Sequence, residues 1–528
     1  MSATSCQLQL SSSSARPLSL RIEILMAAAL AGLCVILFLF HLGDRDLTSS
    51  HEARAAQDAQ SMLSSGRWDL PRLFDGRVEM QKPPGYYWLV AIFGWLNGGE
   101  VDAWCVRLPA AMAALGCVLL LYWWGLARGR PLAGFLAALM LATALHFTAL
   151  ARTGRIDMPL TFTVALTLVA FVQGQQRRGR LGGRAGWGWF LTGYLAIAAG
   201  VMLKGPIAVV LPLVVGIGWW MWDALTTGKR RLAQCDLHLG IPLILVLTLP
   251  WYLWANWQTD GEWFRVFFWY HNVDRGLGTD DRLRAYPLWF YGPQLLLDFL
   301  PWSLLLPVGL VYVWRRRTDR DARLGAVWLL TMLGLLSCMS FKRSDYLLPA
   351  FPGAAWMLGC ALETWYCQRR PRWAPVALGS VVGATVMLWL AYILVAVPIV
   401  EQMRTHRPFA EEVRRRTAGK VLFFRAEAHN VAFLIGPPLK SLLEWENLDL
   451  WAGKAESTYV ILPPDCLQEW PGRLKSGTLE VVARSEDLAP HGRKMTWLPN
   501  WLHDLDESTL DNRERPLVLV RTRGLPKS

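Results

Sequence analysis

Apolar residues fill this chain in long unbroken blocks, without the alternation of a half-buried strand or the one-sided stripe of a soluble helix. The first block covers residues 22–42, and roughly ten more follow, centred near Leu119, Leu141, Val164, Ile197, Val214, Leu245, Leu305, Leu329, Ala355 and Leu388. Each is roughly 17–27 residues long, enough to cross a hydrocarbon core of about 30 Å as a helix whose backbone polar groups are satisfied internally. The pattern predicts an α-helical polytopic membrane protein with about 11 transmembrane helices over residues 22–400. Glycine dilutes the block around Ile197, which carries the least signal.

Beyond residue 400 the pattern changes. Short apolar runs at 421–424, 459–462, 479–482 and 517–520 alternate with charged, helix-like or turn-rich stretches, which predicts a small α/β domain over residues 401–528. At the other end, the Ser-rich residues 1–21 read as a cytoplasmic tail, disordered over its first part, and the first span reads as a retained signal anchor. No internal repeat is visible.

Charge adds the topology. Lys and Arg crowd every second short loop: Arg128 and Arg130; Arg177, Arg178, Arg180 and Arg184; Lys229 to Arg231; Arg315, Arg316, Arg317, Arg320 and Arg323; Arg369, Arg370 and Arg372. Under the positive-inside rule these loops and the N-terminus are cytoplasmic, and the C-terminal domain is extracytoplasmic. The same distribution explains the net charge of +13 without a nucleic-acid partner. A composition that is 53% hydrophobic, with 29 Trp, excludes a soluble multi-domain protein. Nine cysteines without a CxxC spacing imply neither a disulfide frame nor a metal cluster.

Two outer loops, 43–104 and 257–287, are long enough to carry chemistry. The first opens with His51-Glu52-Ala53-Arg54 and later reaches Gln81-Lys82-Pro83-Pro84, where paired prolines bar a helix interior and hold Lys82 on a turn. Glu52 is either a charge on a solvated helix face or a carboxylate held at the mouth of the bundle, able to accept a proton. Another group of cations lies at outer span ends, where topology asks for none: Arg152, Arg155, Lys204, Arg275, Lys342 and Arg343. Any one of these alone reads as a side chain snorkelling to headgroups. Six of them with Lys82 at one depth would grip an anion such as a lipid phosphate.

These residues also carry a family resemblance. Glu52-Ala53-Arg54, Met62-Leu63, Ser65-Gly66-Arg67-Trp68 and Lys82-Pro83-Pro84-Gly85-Tyr86-Tyr87-Trp88 resemble the first periplasmic loop of bacterial lipid A aminoarabinose transferases and related protein mannosyltransferase-like enzymes. In order follow Arg155-Ile156-Asp157-Met158-Pro159, Lys204-Gly205-Pro206, Pro250-Trp251-Tyr252, the aromatic run Phe267 to His271 ending at Arg275, Pro301-Trp302, and Lys342-Arg343-Ser344-Asp345-Tyr346. The ordered set, across residues 22–365, is similar to the C-type (GT-C) glycosyltransferases.

The resemblance implies transfer of a sugar from a polyprenyl-phosphate donor to an acceptor hydroxyl on a lipid A-like glycolipid or another envelope acceptor. The reaction would take place at the outer face of the bacterial inner membrane. In that family an acidic pair opens the loop; here His51 holds the first position and leaves Glu52 as the only carboxylate. Gln81 stands where the family has an acidic residue before Lys-Pro-Pro, with Glu79 nearby. These departures favour a divergent relative.

Displacement at the anomeric carbon needs a base for the acceptor proton and positive charge for the departing phosphate. The expected catalytic group is Glu52, with His51 as its substitute and Arg54 and Lys82 beside it. Phosphate binding is expected from Lys204, Arg275 and Tyr346, with Lys342, Arg343 and Arg155 as further candidates. Asp157, His271 and Glu79 are expected to contact sugar or to hold the site together. No cofactor or obligatory metal is expected, because the cations already offer what a metal would supply; a non-essential divalent ion at His271 stays open. A protein O-mannosyltransferase with the same donor class is the nearest alternative. A lipid or solute transporter would place its charges at mid-membrane and break its helices there, and a non-catalytic lipid-binding scaffold is the third class.

Overall fold

The computed structural model describes residues 19–227, 235–274, 276, 278, 285–418, 420–453, 457–488 and 516–524. The expected disordered start of the cytoplasmic tail and Arg275 lie outside the described residues. The membrane body is built from α1 (Leu20–Leu39), α4 (Ala103–Ala127), α5 (Pro131–Thr143), α6 (Leu145–Ala151), α7 (Asp157–Leu181), α8 (Trp187–Lys204), α9 (Ile207–Thr227) and α10 (Leu237–Gln258). It continues with α11 (Leu288–Asp298), α12 (Trp302–Arg315), α13 (Arg320–Cys338), α14 (Phe351–Arg369) and α15 (Ala374–Glu401). In the first outer loop lie α2 (Ser50–Ser65) and α3 (Gly85–Leu96).

The ten predicted centres, and most of the first block, fall in helical segments. Seven described helices are long and apolar enough to cross a membrane, or nine when each of two bent pairs counts as one span. The other two expected spans are the helices α8 and α14. Helix α1 is apolar around its whole circumference and mostly faces outward, whereas α7 is mostly enclosed. Close packing of the enclosed helices relies on small residues: a Cβ on Gly125 of α4 would lie 2.4 Å from the Cα of Gly134 on α5. The bent pairs are α5–α6, turning by 68°, and α11–α12, turning by 112°. Their breaks meet, with the Leu145 amide donating to the Leu300 carbonyl at 2.9 Å and the Trp302 indole to Thr143 Oγ1 at 2.9 Å. Backbone groups released by each bend are thus satisfied inside the bundle.

The C-terminal unit starts with α16 (Arg407–Thr417) and carries a five-stranded sheet of order β2-β1-β3-β5-β4. Its strands are β1 (Val421–Phe424), β2 (Lys440–Leu442), β3 (Tyr459–Leu462), β4 (Gly477–Arg484) and β5 (Val518–Gly524). The pairs β1–β2 and β1–β3 are parallel, while β5 runs antiparallel to β3 and β4. The sequence pattern anticipates four of the five. The edge strand β2 is three residues long with Leu442 as its single apolar residue, too short for a period to show.

This unit rests on the first outer loop. Helix α17 (His429–Ile435) packs beside α2, Gln57 Nε2 donates to the His429 carbonyl at 2.9 Å, and Phe433 stacks on Phe74. Arg407 Nε donates to Asp46 at 3.2 Å. Helix α2, which carries the loop's first candidate residues, is therefore held between the membrane body and the C-terminal sheet domain.

Candidate active site

Five separate stretches converge on one open cleft. The first turn of α2 supplies His51 and Arg54. The stiff Gln81-Lys82-Pro83 turn supplies Lys82 just before Pro84 starts α3. Gly154, Arg155 and Asp157 come from the turn into α7, and Lys204 ends α8. There Gly205, at φ +90°, adopts a backbone that side-chain-bearing residues avoid and stops the helix. Arg343, Asp345 and Tyr346 come from the 3-10 stretch leading to α14.

Inside the cleft the charges interlock. Lys204 pairs with Asp157, and its Nζ lies 4.3 Å from the centre of the Tyr346 ring. Arg155 Nη1 is 3.0 Å and Arg343 Nε 3.2 Å from the Asp345 carboxylate. Burial pushes the Asp345 carboxyl up, but Arg343, Arg155, Lys204 and His146 outweigh it and hold the group below the usual carboxylate range. Arg54 Nη2 donates to His51 Nδ1 at 3.0 Å, and its Nη1 lies 3.5 Å from Glu79. Because a guanidinium only donates, the ring proton of neutral His51 sits on Nε2 in this arrangement. Among the described residues, five cations line the cleft against two carboxylates. A bound anion would therefore meet a surplus of positive charge, partly held in place by Asp157 and Asp345.

Four expected residues take other positions. Glu52 does not line the cleft: at 1% exposure it accepts from Arg107 Nε at 2.8 Å, Arg107 Nη2 at 3.1 Å and the Gly154 amide at 2.8 Å. Burial alone would push the Glu52 carboxyl up, yet Arg107, Arg45 and the Gly154 amide outweigh it and set it at about 2. A carboxylate so stabilised is a poor proton acceptor, so the geometry makes Glu52 a strut under the cleft floor. Lys342 is 2% exposed and turns away, its Nζ donating to the Tyr286 carbonyl at 2.9 Å and to that of Met339. Glu79 is buried behind Arg54 and accepts from the Gln81 amide at 2.9 Å, a bracing role. His271 lies in the π-helical stretch Arg265–Asp274, away from the cleft lining.

Sequence reasoning overlooked Arg107. It is fully buried in α4 and, besides Glu52, donates to the carbonyls of Leu42, Arg45 and Asp46 at 2.9 Å each, tying the end of the first span to α2. The signal was available: Arg107 is one more cation at the outer end of an apolar span. Among the described residues no three His, Cys, Asp or Glu side chains are grouped as metal ligands.

Residues 26–268 match the family described as dolichyl-phosphate-mannose-protein mannosyltransferase. The undecaprenyl phosphate-alpha-4-amino-4-deoxy-L-arabinose arabinosyl transferase of Pseudomonas savastanoi is 31% identical over 389 residues, 72% of this chain and 69% of that protein. The chain belongs to this transferase family. Transferase 1 of Pseudomonas fluorescens is 30% identical over 370 residues, and the match spans 68% of this chain but 62% of that enzyme's length. The fold agrees: ArnT from Cupriavidus metallidurans, solved bound to undecaprenyl phosphate, superposes with a TM-score of 0.74 over 96% of this chain and 99% of that one, at 18% identity. An archaeal oligosaccharyltransferase from Archaeoglobus fulgidus aligns with a TM-score of 0.51 over 83% of this chain and 68% of that one, at 12% identity. The helical GT-C architecture expected from the ordered motifs, with the small C-terminal sheet expected from the short apolar runs beyond residue 400, is thus the fold of this arabinosyl transferase relative.

Proposed function

We propose that this protein is a glycosyltransferase that moves a sugar from an undecaprenyl-phosphate-type donor to a hydroxyl of a lipid A-like glycolipid. The reaction takes place at the outer face of the inner membrane, with the N-terminus cytoplasmic and the C-terminal domain outside. The observation that carries the proposal is the convergence of Arg54, Lys82, Arg155, Lys204 and Arg343 on one cleft. Relatives named for an undecaprenyl-phosphate sugar support the donor class.

The chemistry is a single displacement: the acceptor oxygen bonds to the anomeric carbon as the bond from that carbon to the donor phosphate breaks. Cations already in place stabilise the charge that grows on the departing phosphate, and no solvent need reorganise. Of the two groups considered as base, His51 lines the cleft and Glu52 does not. A phosphate is a stronger acceptor than a neutral imidazole, so a bound donor draws Arg54 off His51 and frees Nδ1 to take the acceptor proton.

Lys204→Ala is expected to weaken undecaprenyl phosphate binding about tenfold or more, the worth of one hydrogen bond to a charged group. His51→Gln should retain binding and lose turnover. Unchanged lipid affinity in Lys204→Ala would reject the phosphate assignment.

A further inference from the structure

Where the two bent spans cross, the structure holds an ionisable pair that none of the chemistry above uses. His146 of α6 and Asp298 at the end of α11 are 4% and 7% exposed, and His146 Nδ1 lies 3.8 Å from Asp298 Oδ1. That is ion-pair range but too long for a hydrogen bond. Asp298 Oδ1 instead accepts from Gln294 Nε2 at 2.8 Å, while His146 Nε2 and Asp298 Oδ2 have no hydrogen-bond partner among the described residues. A pair kept only for stability would close up and satisfy its atoms, because half-satisfied charge inside a membrane bundle is costly.

The neighbour of this pair is the site. The stretch Ser344–Ala350 packs against both α6 and α11, and Asp345 lies within electrostatic reach of His146 and of Asp298. Asp345 in turn braces Arg155 and Arg343 in the cleft. The charged groups around the pair are thus Asp345, then Arg343, Arg155 and Lys204 beyond it.

We propose that His146 and Asp298 are positioning residues that act through Asp345 to set how firmly Arg155 and Arg343 hold the donor phosphate. The inference rests on the donor-site reading above. With His146 protonated, a cation compensates Asp298 and Asp345. Loss of that proton leaves Asp298 uncompensated beside Asp345, and the added negative charge draws Arg155 and Arg343 inward and away from a bound anion. Donor affinity is then higher with a charged than with a neutral His146.

The test is binding of undecaprenyl phosphate to the full-length protein in detergent from about pH 5.5 to pH 8, where imidazoles titrate. Wild type should lose about tenfold in affinity across that range, an ordinary size for coupling between sites. His146→Gln leaves Asp298 uncompensated and should bind weakly at every pH. The double variant His146→Gln/Asp298→Asn keeps the shape without charge and should bind at the wild-type low-pH level throughout. It spares the fold a lone buried charge, so its profile decides the question even if the single variant is unstable. The rest of the cleft and the lipid phosphate are common to all three proteins, so the readout is the difference between profiles. Parallel profiles for wild type and double variant would overturn the inference and leave the donor site standing. Failure of wild type to bind at any pH would overturn both.

Discussion

Replacing Glu52 with Gln separates a strut from a catalytic base. The carboxylate is 1% exposed and receives two Arg107 nitrogens and the Gly154 amide, with Arg45 3.7 Å away. Gln would turn an amide N–H₂ toward donors that need an acceptor and leave the fully buried Arg107 uncompensated. A carboxyl lowered from 4.5 to about 2 contributes about 3 kcal/mol to folding. Removing one partner of a buried pair costs about 3–5 kcal/mol, the same range. The sign follows from the lowered value: this stability is present above pH 4.5 and is lost as pH falls toward 2. Thermal unfolding of purified wild type and Glu52→Gln across pH should therefore show the variant several degrees less stable at pH 7, with the gap closing in acid. A variant with wild-type stability, intact lipid binding and no turnover would refute the reasoning and return Glu52 to the role of base.

Two further outcomes are expected. His429, in the contact between α17 and α2, is held at about 3 instead of 6.5 by burial and by Arg54 and Arg77. Its contribution to docking is present above pH 6.5 and is lost as pH falls toward 3, so hydrogen exchange in α2 should rise in mild acid, and His429→Gln should flatten that rise. A reporter fused after Ser528 should be active outside the cytoplasm, and one inserted in the 315–323 loop inside it; the reverse pattern would mean a miscounted span.

Much of this arrangement is legible in the sequence. Uninterrupted apolar blocks announce spans because lipid leaves the backbone no other choice, and cations on the side where topology asks for none announced Arg155, Lys204 and Arg343 at the cleft. Orientation of single side chains was not legible. Lys342 and Arg343 are adjacent, yet one serves carbonyls and the other lines the cleft; only the 3-10 geometry of the following residues decides between them. Glu52 read as a base because its partner, Arg107, is 55 residues away in sequence and hidden in a span. The bends at residues 144 and 299–301 left no periodic trace, since a broken span and a straight one share the same apolar composition. They are nonetheless what brings His146 to Asp298.

The most direct measurement is mass spectrometry of a polyprenyl-phosphate sugar pool incubated with lipid A-type acceptors and purified wild type or His51→Gln protein. The predicted result is loss of one donor species and a matching mass gain on the acceptor with wild type alone. Unchanged donor and acceptor pools with wild-type protein that binds undecaprenyl phosphate would contradict the assignment as a glycosyltransferase acting on these lipids.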